Sequence, residues 1–262
     1  MTELETAVYA AKAAGQLLRD NYHLPHDIHY KGTIDIVTEV DRASEGLIFD
    51  ILQGEFPALG FFGEESVQTR DSKEGVWIVD PVDGTNNYSR GYPLFGISIA
   101  LEKAGQTVLG VVYNPILDEL FTAEKGYGAF LNEKPIEVSQ IGELGKSIIA
   151  SGFPYDAWTN PIDNGAEWWR FMKSTVSVRC DGCASLDFCH VAAGRVDGYW
   201  ELDLEAWDMA AGALIVQEAG GMVTLTSGKP FTPYQRSVLA SNGKLHPRMI
   251  DLLNLRTDIS DL

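Results

Sequence analysis

Positive charge is scarce in this sequence: 20 Lys and Arg stand against 37 Asp and Glu in 262 residues, a formal charge of -17. That balance opposes sequence-independent attraction to nucleic acid or anionic lipid, so neither is expected as a partner. No apolar run approaches the roughly 18–20 residues that cross a bilayer. The opening stretch, MTELETAVYA, carries acids where a secretory leader carries a basic region and an apolar run. Cysteine is nearly absent as well. Cys180, Cys183 and Cys189 are too few, and odd in number, for a disulfide framework. A reducing, cytoplasmic setting is the expectation. What is present is ordinary globular material, 45% hydrophobic and 22% charged, which excludes wholesale disorder. A chain of this length buries a sizeable core unaided. An anionic substrate would have to be drawn in by cations.

Residues 2–21 read as an amphipathic helix, with Leu4, Ala7, Val8, Ala11, Ala14, Leu17 and Leu18 on one stripe. The stretch from Asp27 to Thr38 is less regular and is expected to include a mobile loop. Thr38-Glu39-Val40-Asp41 has the form of a capping box ahead of Leu47, Ile48, Ile51 and Leu52. Short strands are expected at Leu59–Gly63 and Val76–Asp80. A hairpin over Phe95–Leu101 and Val108–Tyr113 should turn at Ala104-Gly105, with a further strand at Leu120–Ala123. Beyond residue 140 strands at 147–151, 176–179, 196–201, 222–225 and 238–241 alternate with helices at 162–173, 183–193, 206–219 and 245–255. An α+β half over 1–140 followed by an α/β half over 141–262, in one compact unit, is the resulting fold class. No internal repeat or long linker is visible.

The most informative segment is Val76-Trp77-Ile78-Val79-Asp80-Pro81-Val82-Asp83-Gly84-Thr85-Asn86-Asn87-Tyr88. An apolar strand delivers Asp80 to its end, Pro81 stops the ladder, and Gly84 is free to take positive φ. Thr85 stands where a short helix can start. Two carboxylates three residues apart on a tight turn can converge on one hard cation, with the Val82 carbonyl as a further oxygen ligand. Amides after Gly84 can receive a phosphate. An Asp-Pro turn running into an Asp-Gly turn is equally common loop chemistry. An aspartyl-phosphate phosphatase of the haloacid dehalogenase type is disfavoured, because Pro81 stands where a nucleophile would be needed. Adjacent Glu64 and Glu65 are ordinarily a solvated pair. Asp208 ordinarily does no more than favour a helix start, and Trp207 reads as core.

Taken together, Lys31-Gly32-Thr33-Ile34-Asp35-Ile36-Val37-Thr38-Glu39-Val40-Asp41, the GEES at 63–66, WIVDPVDGTNNY at 77–88 and WDMAAGALIVQEAGG at 207–221 resemble the inositol monophosphatase family in order and spacing. The resemblance covers nearly the whole chain. It implies a five-layered αβαβα sandwich of the inositol monophosphatase and fructose-bisphosphatase type, and a lithium-sensitive, homodimeric phosphomonoesterase using two or three Mg²⁺. Glu64, Asp80, the Val82 carbonyl, Asp83 and Asp208 would ligate metal. Thr85, with Asp41 behind it, would orient and activate the attacking water, and the Gly84 and Thr85 amides would hold phosphate. Glu201 and the Gly182-Cys183-Ala184 turn would face sugar or cyclitol hydroxyls. Glu65 would support the site or share a weaker third metal, and Lys31 would lie near the phosphate on a mobile loop. The family commonly has Ser or Thr at position 183, so a contact through that side-chain oxygen is weakened by cysteine. DGTNNY looks closer to inositol monophosphatases than to the nucleotide and histidinol branches. Histidinol-phosphate phosphatase, a broader fructose-bisphosphatase, and a non-catalytic metal-binding regulator on the same scaffold remain open.

Physical chemistry favours the same grouping. Two unit charges 4 Å apart repel by about 4 kcal/mol at an effective dielectric of 20, so gathered carboxylates call for Mg²⁺, which also clamps phosphoryl oxygens and acidifies a bound water. Ligands without His or Cys favour Mg²⁺ over Zn²⁺. Cys180, Cys183, Cys189 and His190 offer one pair rather than four paired zinc ligands, and read as buried small residues. His23, His26 and His29 read as surface loop residues; Trp158, Trp168 and Trp169 surround a segment that is a candidate to cover the cleft or form a subunit contact, with core or interface packing the preferred reading.

Overall fold

The computed structural model describes residues 1–24, 28–30, 36–65, 68–69 and 72–255. Helix α1 (Glu3–Asn21) opens on a capping box, where the Thr2 hydroxyl accepts the Glu5 amide at 3.2 Å and the Glu5 carboxylate accepts the Thr2 amide at 2.8 Å. A short antiparallel ribbon, β1 (His29–Tyr30) and β2 (Ile36–Val37), leads to α2 (Glu39–Glu55), which starts at Thr38 as its sequence requires. Eight strands then form the larger sheet: β3 (Gly60–Gly63), β4 (Gln68–Thr69), β5 (Val76–Asp83), β6 (Gly96–Lys103), β7 (Gln106–Asn114), β8 (Glu119–Glu124), β9 (Gly128–Leu131) and β10 (Lys134–Pro135). Their spatial order is β10-β9-β8-β7-β6-β5-β3-β4, antiparallel except for the β3–β5 pair. The five-residue helix α3 (Thr85–Ser89) follows β5.

The remaining elements are β11 (Ile148–Ser151), α4 (Gly165–Ser174), β12 (Ser177–Arg179), α5 (Ala184–Ala192), β13 (Gly198–Leu202), α6 (Ala206–Glu218), β14 (Met222–Thr224), β15 (Ser237–Ser241) and α7 (His246–Leu253). Their strands make a five-stranded sheet ordered β12-β11-β13-β15-β14, with β11 parallel to both neighbours.

Side-chain alternation stacks these parts into layers. In β5, Trp77 and Val79 pack with Ala7, Ala11, Ile48 and Leu52 of α1 and α2, while Val76 and Ile78 join the cluster built on α5 and α6. Helix α6 is apolar all round, Met209 to Val216 being wholly buried, because it lies between two sheets. It approaches β7 so closely that a Cβ at Gly110 would sit 2.7 Å from the Ala211 carbonyl oxygen. On the outer face of the second sheet, Phe171 of α4 stacks on Trp200 at 4.1 Å, and Leu245 and Met249 close the cluster from α7. Each such side chain contributes about 1.5–3 kcal/mol when fully buried. The order is helices, sheet, helices, sheet, helices: a mixed α/β sandwich.

Three local expectations need amendment. Pro81 does not end the strand; β5 continues to Asp83 through a register shift between Asp80 and Asp83. Strands β9 and β10 were not expected, and Lys134-Pro135 is tolerated because it forms the sheet edge. Cys180 is exposed rather than buried, unlike Cys183 and Cys189. His23 and His29 are exposed, whereas His26 and Lys31 lie outside the described residues.

Candidate functional site

The irregularity in β5 is where the site begins. Breaking register after Asp80 lets its Oδ1 accept the Val82 amide at 2.9 Å and leaves Asp83 at the strand end. Gly84 then takes a left-handed conformation (φ 89°) that turns the chain into α3. A side chain there would be strained, and its Cβ would also lie 3.1 Å from the Gly182 carbonyl oxygen. Asp83 reaches across to the start of α5: its Oδ2 accepts the Ser185 amide at 2.6 Å and the Cys183 thiol at 3.1 Å. Cys183 is thus committed to Asp83.

Neighbouring elements supply the remaining acids. Glu64 follows β3, the parallel neighbour of β5, and its amide donates to the Val79 carbonyl at 3.2 Å. Glu65 donates its amide to the buried Glu45 carboxylate at 2.7 Å. Gly63 makes that possible, since any Cβ there would collide with the Glu45 carboxylate. Asp208 sits in the first turn of α6, where its Oδ2 accepts the Glu205 amide at 2.7 Å. Glu201, on β13, accepts the Tyr199 hydroxyl at 2.6 Å and fills space left by the missing side chain of Gly152.

Thr85 and Asp41 form a buried pair. The Thr85 hydroxyl donates to Asp41 Oδ1 at 2.8 Å and also lies 3.0 Å from the Val82 carbonyl oxygen. The other oxygen of Asp41 accepts the Thr38 hydroxyl and, at 3.0 Å, the Thr38 amide. Burial pushes the Asp41 carboxyl up, and these hydrogen bonds pull against it.

A cleft of about 720 Å³ collects the result, with Glu64, Asp80, Val82, Asp83, Gly84, Thr85, Gly182, Cys183, Ala184, Glu201 and Asp208 all on its lining. Asp41 stands behind Thr85, and Glu65 against Glu45. Among the described residues, seven carboxylates line the cleft against one guanidinium, that of Arg236. That guanidinium is itself spoken for by Asp203 at 2.8 Å and Glu205 at 3.1 Å. Burial raises the Asp80 carboxyl well above the usual range, and the charges of Glu64, Asp83 and Asp208 raise it further. Asp208 is raised well by burial and by Asp83, and Asp83 is raised by burial despite the Ser185 and Cys183 hydrogen bonds. Burial drives Glu201 to about 8, against the hydrogen bond from Tyr199. These oxygen-only acids are stable together as carboxylates once hard divalent cations offset them, so the donor set fits Mg²⁺.

Several supporting residues escape sequence reasoning. Asn87 donates to the Leu94 and Asp181 carbonyls, each at 2.7 Å, and so fixes the turn at Gly182; its place within DGTNNY was the available signal. Thr38 reads as a helix cap alone, and neither Tyr199 nor Ser185 carries any local signal. Trp158 is not core: it is 74% exposed at the cleft. Trp168 packs on Phe153 at 5.1 Å, and Trp169 is exposed beneath Lys173. Trp207 meets Phe62 edge-on at 5.0 Å and also lines the cleft.

Comparison with known proteins agrees with this geometry. The inositol monophosphatase family profile matches residues 1–257. Inositol monophosphatase 2 of Solanum lycopersicum is 42% identical over 264 residues, covering 96% of this chain and 97% of the relative. Nus factor SuhB of Escherichia coli K12 is 38% identical over 261 residues, covering 98% and 97%. The solved inositol monophosphatase of Anabaena (Nostoc) sp. superposes with a TM-score of 0.91 at 38% identity, covering 100% of this chain and 98% of that one. A layered sandwich, an acid-lined cleft and matches that run nearly end to end place the chain in the inositol monophosphatase family, as a magnesium-dependent phosphomonoesterase of small phosphate esters.

Proposed function

We propose that the chain hydrolyses myo-inositol 1-phosphate, or a similar sugar or polyol phosphate monoester, to the alcohol and inorganic phosphate. The observation that carries this reading is one cleft whose described lining holds seven carboxylates, Glu201 among them, together with the Gly84-Thr85 turn and Gly182–Ala184. Glu64, Asp80, Asp83, Asp208 and the Val82 carbonyl would hold two or three Mg²⁺, with Glu65 supporting them. When bound, Mg²⁺ supplies positive charge for the phosphoryl oxygens and lowers the pKa of a coordinated water. Thr85 commits its hydroxyl proton to a hydrogen bond with Asp41, so its oxygen is left to accept a hydrogen bond from water and fix that water's orientation for attack. The Gly84 and Thr85 amides receive the phosphate. Glu201 and the Gly182 and Ala184 backbone meet substrate hydroxyls, while the Cys183 side chain, turned to Asp83, leaves that contact to its amide.

The test is phosphate release, in Mg²⁺, from inositol 1-phosphate, histidinol phosphate, fructose 1,6-bisphosphate and NADP. The highest kcat/KM is expected for inositol 1-phosphate. A tenfold preference for histidinol phosphate or fructose 1,6-bisphosphate would move the assignment to that branch. No turnover on any ester by folded, Mg²⁺-loaded protein would leave a regulatory scaffold. Asp83→Asn is expected to lower kcat at least 100-fold with an unchanged circular dichroism spectrum; normal turnover would remove Asp83 from the metal site.

A further inference from the structure

Behind the turn that joins β12 to α5, three side chains outside the cleft's ligand set converge. Asp181 precedes the turn, Asp187 lies in the first turn of α5, and His190 follows three residues later on the same helix face. One carboxylate oxygen from each Asp and one ring nitrogen of His190 lie within 4.8 Å of one another. His190 Nδ1 stands 3.8 Å from Asp181 Oδ2, too far for a hydrogen bond. Asp187 is only 1% exposed, and its Oδ1 has no hydrogen-bond partner among the described residues. A buried polar atom left in that state is destabilising, and more so if it is charged.

Among the described residues, no charge that acts on it neutralises it. The charges that Asp187 feels are those of Asp181, Glu201 and Asp83, all of its own sign. Arg195, which reaches His190 electrostatically, is held in a two-pronged pair with Glu119. Burial and Arg195 together keep the His190 ring neutral, the form that ligates metal.

We propose that Asp181, Asp187 and His190 form a second divalent-cation site, separate from the catalytic cleft, that takes a borderline transition metal such as Zn²⁺ rather than Mg²⁺. The imidazole sets that preference, since Mg²⁺ takes oxygen ligands and Zn²⁺ takes nitrogen readily. Ligand atoms 2.0–2.2 Å from a tetrahedral Zn²⁺ stand about 3.4 Å apart. The three atoms therefore close by about 1.4 Å at most, which rotamer adjustment of the partly exposed Asp181 and His190 can supply. The Asp181 carbonyl accepts from Asn87 at 2.7 Å, so an ion here braces the Gly182 turn from outside the reacting region.

Zn²⁺ competition between the full chain and a chromophoric chelator, in excess Mg²⁺, tests the site. Wild type should hold one Zn²⁺ per chain. His190→Gln and Asp187→Asn should each weaken that binding at least tenfold while circular dichroism stays unchanged. Asp208→Asn, which alters the cleft, should retain it. Zn²⁺ should also raise the Tm of wild type but not of His190→Gln. Because His190 is partly exposed, its substitution keeps the test decisive even if Asp187→Asn folds poorly. Equal Zn²⁺ affinity in wild type and His190→Gln, no Zn²⁺ retained by wild type, or loss in Asp208→Asn alone would each overturn the proposal.

Discussion

Replacing Glu201 with glutamine removes an ionisable group from the cleft while keeping its shape, and the effect on stability has a definite sign and pH window. In the folded chain the Glu201 carboxyl titrates at about 8 against an ordinary 4.5, mainly because it is buried. Below pH 4.5 it is protonated in both folded and unfolded chains and opposes nothing. Between 4.5 and 8 the unfolded chain ionises while the folded one keeps its proton, so each pH unit favours unfolding by about 1.36 kcal/mol. Above 8 both forms are charged and the slope disappears. The accumulated loss has a ceiling of roughly 5 kcal/mol, reduced by cleft water around a partly exposed side chain. Urea denaturation of EDTA-treated wild type and Glu201→Gln from pH 5 to 9 reads this directly. Wild type should lose up to about 4 kcal/mol relative to the variant across that range. Other buried acids, Asp80 and Asp208 among them, are common to both proteins and largely cancel in the difference. Midpoints that move in parallel at every pH would refute the burial argument for Glu201.

Thr85→Ala should lower kcat by about 10²–10³, within the range of a positioned proton-transfer partner, and leave the Mg²⁺ concentration for half-maximal activity within threefold. Steady-state kinetics across a Mg²⁺ titration checks both, and unchanged kcat would remove Thr85 from the chemistry. Gly152→Ala places a methyl group where the Glu201 carboxylate lies, so KM should rise several-fold more than kcat falls. Equal KM values would mean that Glu201 does not meet substrate.

Legibility in the sequence followed the range of the interactions. Asp80, Asp83 and Gly84 were readable because strand, irregular turn and helix start follow within nine residues, from Val76 to Gly84. Thr38 and Asp41 were readable as a helix start, since capping is a three-residue affair. The contacts that give these residues their environment are remote. Ser185 reaches Asp83 from 102 positions away and Asn87 reaches Asp181 from 94, and no periodicity encodes such pairings. Only the assembled family pattern pointed to Thr85 and Asp41 as partners. The edge strand Lys134–Pro135 was invisible for the opposite reason: its residues have little strand preference, and pairing with β9 alone holds them extended. Trp158 stands at the open rim of the cleft and not in the core, a choice the sequence left open because a large aromatic ring serves a core, an interface or a cleft edge alike.

Asp41 carries two duties with two different oxygens, one closing the N-terminus of α2 on Thr38 and the other gripping Thr85. A lesion there would loosen the scaffold and blunt hydrolysis in the same stroke, so neither property can drift independently under selection. Activity lost at this position should therefore resist rescue by stabilising changes elsewhere, which can restore the helix but cannot return a proton acceptor to Thr85.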